Sequence, residues 1–149
     1  MNLLLDTNVL IDYVGSREPF FDDAKKILAA GFFNYAKLWV SAQSIKDAYY
    51  VLSNYADQKH VQRALRRTLD VVAPVSLSAK DAVRGLYLEW DDYEDCLISL
   101  CAVAVKADFI ITRDEKGFAR SPIPVLAPDS WLELMKDEHN LEYNLVDSL

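Results

Sequence analysis

The chain has 149 residues, of which 52% are hydrophobic, and it carries a formal net charge of −7. This length predicts one compact domain, because chains of this size bury roughly two-thirds of their unfolded surface. The acidity argues against a protein coated with basic residues for nucleic-acid binding, although it leaves room for a basic stripe beside an acidic pocket. Cys96 and Cys101 lie in one apolar helical pattern and are expected in the core, so we expect no zinc site.

No segment predicts a membrane span or a signal peptide. The longest uncharged apolar stretch, 96–105, is shorter than the ~20 residues that a spanning helix needs. Asp6 and Asp12 interrupt the apolar N-terminal region, and no basic segment precedes it. We therefore expect a cytoplasmic protein without membrane contact.

Strand and helix patterns alternate along the chain. Short apolar runs predict buried strands, and apolar residues at spacings of three and four predict helices. In chain order the expected elements are strand 2–5, helix 23–30, strand 38–41, helices 44–55 and 59–69, a weaker strand 71–75, helices 79–88 and 92–107, strand 109–112, a weaker strand 124–126 and helix 130–136. Pro74 suits its strand only to an edge or a strand end. The alternation predicts a three-layer α/β/α sandwich around a mainly parallel sheet of four to five strands.

The first strand stops abruptly at Asp6, Thr7 and Asn8. Asp6 therefore lies at the carboxyl end of a strand, where open α/β sheets bind their ligands. A carboxylate there is either a cap for the next helix or part of a site. Asp114 follows strand 109–112 closely, and the two side chains can meet if their strands are neighbours.

An acidic run, WDDYED, opens the apolar helix 92–107. Acids at a helix N-terminus interact favourably with the helix dipole, at ~0.3–1 kcal/mol each. One or two acids would be enough for this interaction, so the others need a different explanation. The run contains Asp91, Asp92, Glu94 and Asp95. Like charges about 4 Å apart repel by about 4 kcal/mol at an effective dielectric of 20, so a further carboxylate facing Asp6 and Asp114 calls for a cation. Oxygen ligands favour Mg²⁺ or Mn²⁺, which suit phosphodiester hydrolysis.

Asp47, in SAQSIKDAYYVL, is better explained as a cap when it is taken by itself. It lies off the apolar stripe of its helix, and the pair Ser44 and Asp47 matches the capping pattern Ser-x-x-acid.

Four segments together resemble the PIN domain, most closely the bacterial VapC-like ribonucleases. They are LLLDTNVLID, VSAQSIKDAYYVL, DYEDCLISLCAVAVKADFIITRDEKGF and PVLAPDSWLEL. The resemblance implies a PIN-like nuclease domain over residues 1–136. It also implies a Mg²⁺- or Mn²⁺-dependent endoribonuclease that is the toxin of a toxin-antitoxin pair, commonly a homodimer neutralised by a small antitoxin whose tail occupies the acidic groove.

The resemblance assigns roles to particular residues. The family's four acids fall on Asp6, Asp47, Asp95 and Asp114, with Asp6, Asp95 and Asp114 as metal ligands. It therefore turns Asp47 from a cap into a site residue. Asn8 and Thr112 match the family's polar residues beside the first acid and at the end of the strand, and the resemblance implies that they bind substrate. Glu94 is either an acid behind the ligands or surface charge.

Two positions depart from the family pattern. Asp47 stands where Glu is common, and Gly117 stands where many relatives have Asp. Both support a second interpretation, a catalytically weak RNA-binding or scaffold module. A third interpretation is a phosphatase with Asp6 as nucleophile, although Asn8 occupies the position of its usual general acid.

Two basic groups are candidates for contacts with RNA. Arg113, Lys116 and Arg120 lie beside the expected site, where they could steer a phosphate backbone. A second group on one side of helix 59–69 is either a phosphate track or a solvated face, and it consists of Lys59, Arg63, Arg66 and Arg67. The tail 137–149 is too apolar for a solvated end, and we expect it to pack on the domain or on a partner.

Overall fold

The computed structural model describes residues 1–141 and contains one five-stranded sheet. The strands are β1 (Asn2–Leu5), β2 (Lys37–Ser41), β3 (Val72–Val75), β4 (Phe109–Ile111) and β5 (Val125–Leu126). All neighbouring strands are parallel, and their order is β3-β2-β1-β4-β5. The central strand β1 therefore pairs directly with β4, as the meeting of Asp6 and Asp114 requires.

Helices cover both faces of the sheet. Those of the described residues are α1 (Thr7–Val14), α2 (Phe21–Phe32), α3 (Ala42–Leu52), α4 (Gln58–Thr68), α5 (Ala79–Leu88), α6 (Tyr93–Ala104) and α7 (Pro128–His139), with a short 3₁₀ helix at Glu115–Phe118. The core on one face takes side chains from α1, α2, α3, α4 and α7, whereas the core on the other face takes them from α6 and the 3₁₀ helix. The predicted three-layer sandwich with a parallel sheet is confirmed.

Strand β1 explains why the sheet is buried on both sides. Leu3, Leu4 and Leu5 have no exposed surface. Leu3 and Leu5 belong to one core cluster and Leu4 to the other, because successive side chains of a strand point to opposite faces. The ladder between β1 and β4 continues one residue further, where the backbone N–H of Asp6 donates to the carbonyl of Ile111 at 2.9 Å. This register places Asp6 beside the end of β4.

One helix was not predicted, and several predicted helices differ in their boundaries. Helix α1 was not among the predicted helices, because its eight residues offer little more than two turns of periodicity. Helix α3 begins at Ala42, and the Ser41 hydroxyl caps it by accepting the N–H of Gln43 at 3.2 Å. The capping interpretation of Ser44 and Asp47 is therefore wrong. Strand β3 is an edge strand, as Pro74 predicted.

The end of the described chain folds back on the domain. Helix α7 continues past Lys136 and ends at Asn140, whose φ of 52° is left-handed. The N–H of Leu141 donates to the carbonyl of Met135 at 3.1 Å, and its side chain is partly buried against the first core cluster. Most of the predicted packing tail, residues 142–149, lies outside the described residues. Within residues 1–141, no helix combines the length and the apolarity needed to cross a membrane.

Candidate active site

Asp6 lies where β1 passes into α1. Its Oδ1 accepts the N–H of Thr7 at 2.7 Å and so caps α1. Its Oδ2 accepts the hydroxyl of Thr112 at 2.7 Å and the amide N–H of Asn8 at 3.2 Å. The residue is only 7% exposed. One carboxylate therefore serves as a helix cap and as a buried member of a polar cluster at this edge of the sheet.

The charged groups that act on Asp6 are all carboxylates. Burial raises the pKa of its carboxyl group, and the hydrogen bonds from Thr112 and Thr7 lower it. The nearby carboxylates of Asp114 and Asp92 raise the pKa again. The hydrogen-bond donors are all neutral groups, so they stabilise the charge without cancelling it.

Thr112 joins the first acid to the loop that follows β4. It is fully buried. Its hydroxyl oxygen accepts the N–H of Asp114 at 3.0 Å and the amide of Asn8 at 3.3 Å. The Oδ1 of Asp114 in turn accepts the N–H of Gly117 at 3.3 Å, which opens the 3₁₀ helix. Asn8 and Thr112 thus direct their polar groups at the acids of the cluster.

Asp95 reaches the cluster from the opposite layer, in the first turn of α6. Its pKa rises from the ordinary 3.8 to about 7. Burial is the largest cause, followed by the charges of Asp6, Asp92, Asp114 and Glu94. Each of these charges has the same sign as the Asp95 carboxylate. The Asp95 side chain is therefore only partly ionised near neutral pH in the metal-free protein.

Asp92 is a member of the cluster that sequence reasoning did not single out. It caps α6, where its Oδ1 accepts the N–H groups of Glu94 at 2.9 Å and Asp95 at 3.2 Å. Its charge raises the pKa of both Asp6 and Asp95. The sequence could have indicated this role through the N-cap position of Asp92. An N-cap three residues before Asp95 lies at the same end of the helix as Asp95.

Gly117 explains one departure from the family pattern. A Cβ built on this residue would collide with Oδ2 of Asp95 and would lie 3.0 Å from Oδ2 of Asp114. The two carboxylates therefore lie close to the same point beside the backbone of Gly117. Its φ is not positive, so the glycine is required by space rather than by conformation. Any side chain at this position would therefore require the Asp95 carboxylate to move.

Asp47 is not brought into the cluster. Its side chain on α3 is 31% exposed and forms an ion pair with Lys46 at 3.2 Å. It is not among the groups that shift the pKa of Asp6 or Asp95. Its link to the site runs through Ser44, one turn earlier, whose buried hydroxyl shares a 2.7 Å hydrogen bond with Thr7.

The basic residues divide into one engaged side chain and several exposed ones. Arg113 donates from Nε and Nη2 to the two carboxylate oxygens of Asp12, at 2.6 and 3.2 Å, and its guanidinium lies 3.8 Å from the centroid of the Phe20 ring. Lys116 and Arg120 are exposed beside the cluster. The predicted basic face of α4 is also exposed, with Lys59, Arg63, Arg66 and Arg67 outward and Val61 and Leu65 buried beneath.

The residues of the cluster fit a divalent metal. Within residues 1–141, no group of three or more His, Cys, Asp or Glu side chains is already arranged to hold an ion. The donor set is nevertheless suitable, because Asp6, Asp95 and Asp114 offer only oxygen, which Mg²⁺ and Mn²⁺ prefer. Gly117 leaves room for two of these carboxylates on one side of its backbone. A cation there would remove the repulsion that raises the pKa of Asp95.

Comparison with known proteins assigns the fold to a family. The family model described as PIN domain matches residues 2–116. The chain belongs to the PIN domain family. The predicted family is thereby confirmed, and no curated protein matches this PIN domain.

Solved structures of similar fold include toxins. A toxin-antitoxin complex from Klebsiella pneumoniae is 26% identical over 85% of this chain and 97% of that chain, with a TM-score of 0.60. VapBC-1 from nontypeable Haemophilus influenzae is 18% identical over 87% and 99%, with a TM-score of 0.64. VapC20 from Mycobacterium tuberculosis, described as a toxin that cleaves the sarcin-ricin loop, is 12% identical over 72% and 86%, with a TM-score of 0.59. The PIN domain therefore shares its fold with these toxins.

Proposed function

We propose that this PIN domain is a divalent-metal-dependent endoribonuclease that hydrolyses RNA phosphodiester bonds, and that it is the toxin of a toxin-antitoxin pair. The observation that carries the proposal is the approach of Asp6, Asp95 and Asp114 at the carboxyl edge of the sheet, where no basic side chain of residues 1–141 lowers the pKa of Asp6 or Asp95. Membership of a nuclease family and the likeness to toxin structures support it further.

In this proposal Asp6, Asp95 and Asp114 hold the metal. When bound, Mg²⁺ or Mn²⁺ supplies an acidic water and stabilises charge on the leaving oxygen. Thr112 and Asn8 fix the Asp6 carboxylate through hydrogen bonds to Oδ2, and the N–H of Thr7 takes one position on Oδ1, which leaves one lone pair of Oδ1 for the metal. Asp95 gives up its proton when metal binds, because ligands must be deprotonated.

Asp47 is proposed as a fourth site residue at the rim of the cluster. The hydrogen bond between Ser44 and Thr7 ties α3 to the turn that carries Asp6. The Lys46 side chain that pairs with Asp47 is 62% exposed, and such a pair is worth only about 0–1 kcal/mol. Little free energy therefore holds Asp47 away from a bound substrate.

Lys116 is the proposed phosphate contact beside the acids, because its side chain is exposed in the 3₁₀ helix that follows Asp114. Arg113, predicted for the same task, already binds Asp12 through two nitrogens. Its proposed contribution is to orient the loop between Thr112 and Asp114.

Two surfaces support the proposed partners. Helix α5 exposes Val83 (54%), Leu86 (62%) and Tyr87 (83%) at helical spacing, which suits a homodimer contact. An apolar cleft of about 550 Å³ lies between α3 and α4, with Ile45 and Leu65 in its lining. This cleft suits an apolar segment of an antitoxin. Basic side chains from the tail of the antitoxin would complement the charge of the acid cluster.

An RNA cleavage assay tests the enzymatic proposal. The purified protein should cleave single-stranded RNA when Mg²⁺ or Mn²⁺ is present, and excess EDTA should abolish this cleavage. Asp95→Asn should lower the rate by about 100-fold, because it removes a ligand that the metal needs. Asp137→Asn removes an exposed acid of α7 and is the matched control, with an unchanged rate. Cleavage that persists in EDTA, or that survives in Asp95→Asn, would overturn the metal mechanism.

A further inference from the structure

Trp90 and Arg120 form a shelf at the junction of α5 and α6. Helix α5 ends at Glu89, whose φ of 49° is left-handed, and the chain then turns into Trp90. Trp90 is partly buried against the second core cluster, which fixes its position. Arg120 donates from Nη1 to the carbonyl of Glu89 at 3.1 Å, and its guanidinium carbon lies 5.7 Å from the centroid of the Trp90 ring.

Both residues of the shelf are close in sequence to residues of the acid cluster. Trp90 lies two residues before Asp92, and Arg120 lies three residues after Gly117. A hydrogen bond of 2.9 Å between the hydroxyls of Ser99 and Ser121 holds the segment after Arg120 against α6, the helix that carries Asp95. Separate contacts therefore anchor the tryptophan ring and the guanidinium near the start of α6.

The charge of Arg120 is not neutralised within residues 1–141. Among these residues it contacts a backbone carbonyl and an aromatic ring, and it takes part in neither of the ion pairs in this part of the chain. Arg113, in contrast, is paired with Asp12. A protein of net charge −7 thus keeps, three residues after Gly117, a guanidinium with no carboxylate partner among residues 1–141. This arrangement suits a ligand that carries negative charge next to a flat ring.

We propose that the shelf binds one nucleotide of a single-stranded RNA, with its base on the Trp90 indole and its phosphate on Arg120. The inference rests on the proposed function, since it names how the substrate of the same site is held. Base stacking on an aromatic side chain adds to the affinity for each stacked base and needs an unpaired base. The shelf therefore favours single strands and loops over duplex RNA, whose bases are stacked inside the helix.

Binding is measured in EDTA, so that no cleavage is required. A labelled single-stranded oligoribonucleotide is titrated with the protein, and tryptophan fluorescence is recorded in parallel. Arg120→Gln should weaken binding by about tenfold and lower the slope of log K against log salt by about one. RNA should quench the fluorescence of the wild type, and Trp90→Phe should remove this quenching while it retains a ring that packs.

Lys37 and Trp39 provide a matched control. They form the same kind of pair, with the Lys37 ammonium 4.3 Å from the ring centroid, on β2 and distant in sequence from the acid cluster. Lys37→Gln should leave affinity unchanged, and Trp39→Phe should leave the RNA-induced quenching intact.

Three results would overturn the shelf. They are unchanged affinity in Arg120→Gln, quenching that survives in Trp90→Phe, and an equal loss of affinity for duplex and single strand in Arg120→Gln. Each can occur in a protein that still cleaves RNA with metal. Conversely, shelf binding without metal-dependent cleavage would leave the RNA contact standing and would reject the proposed nuclease.

Discussion

The two ends of α1 each carry a buried aspartate, and their surroundings are opposite. Asp12 is 1% exposed and receives two N–H groups of the Arg113 guanidinium. Asp6 is 7% exposed and receives only neutral donors, while Asp92 and Asp114 face it with charges of its own sign. A buried carboxylate is stable as an ion when a cation compensates for its lost hydration. At Asp12 the Arg113 guanidinium provides that cation, whereas the described hydrogen-bond donors to Asp6 are neutral and the pKa of Asp6 is raised.

The segment 112–114 contacts the aspartates at both ends of α1. Arg113 turns to Asp12, while its neighbours Thr112 and Asp114 belong to the acid cluster. The ion pair therefore anchors the loop that presents Asp114. The structural charge pair, whose loss should destabilise the protein, thus differs from a set of like charges, whose reduction should stabilise the metal-free protein.

The largest expected effect is at the ion pair. Asp12→Ala should reduce the free energy of unfolding by about 3–5 kcal/mol, because it leaves the Arg113 guanidinium without its carboxylate. Urea denaturation in EDTA measures this loss. Asp108→Ala removes an exposed acid that accepts the N–H of Asn2 at 2.7 Å, and it should cost no more than about 1 kcal/mol. If the two variants lose similar free energies of unfolding, the buried ion pair is no more important for stability than an exposed hydrogen bond.

The acid cluster should respond in the opposite direction. Asp95→Asn removes one like charge, so the metal-free protein should melt at a higher temperature than the wild type while cleavage collapses. Mg²⁺ should then stabilise the wild type more than the variant, because a ligand that binds only the folded state stabilises it in proportion to its affinity. Equal shifts with Mg²⁺, together with preserved cleavage, would show that Asp95 lies outside the metal site.

The pH dependence of stability follows from the raised pKa of Asp95. Its pKa is near 3.8 when unperturbed and about 7 in the folded protein, so the folded state binds this proton more tightly. The contribution of Asp95 to stability is therefore fully present below about pH 4 and is lost as the pH rises to 7. Melting curves of wild type and Asp95→Asn in EDTA isolate it: the difference between them should grow across this window. A constant difference would contradict the assigned pKa.

Gly117→Ala should act on the site more than on the fold. The added methyl group must displace the carboxylate of Asp95, which is the movable end of a side chain, so the loss of stability should be small. Metal affinity should fall by about tenfold, as expected when the surroundings of a ligand are disturbed. Mn²⁺ titration and thermal melts measure the two quantities. Unchanged Mn²⁺ affinity would show that Asp95 and Asp114 do not share a metal.

The smallest expected effect concerns the tail. Leu141 already packs on the first core cluster, and the segment beyond it contains Tyr143, Leu145 and Val146. Truncation after Leu141 should lower the melting temperature by about 2–4 °C or change the oligomeric state. Light scattering and thermal melts detect either outcome. If melting temperature, oligomeric state and solubility all stay unchanged, the tail does not pack.

Several features of this PIN domain were predictable from the sequence. Continuous apolar runs such as that of β1 occur in strands buried on both faces, and helices between them require parallel neighbours. The same logic placed Asp6 and Asp114 at the carboxyl edge of one sheet. These predictions succeeded because they depend on chain order and local periodicity.

The tertiary structure alone decided which side chains meet. Periodicity shows which side of a helix is buried, but it does not identify the element that packs there. The sequence could not show that Asp92 rather than Asp47 adds its charge to the cluster, since both lie on helices that approach the sheet edge. Nor could it show that Arg113 binds Asp12, 101 residues away, because that contact arises only when β4 pairs with β1 and brings the loop against α1.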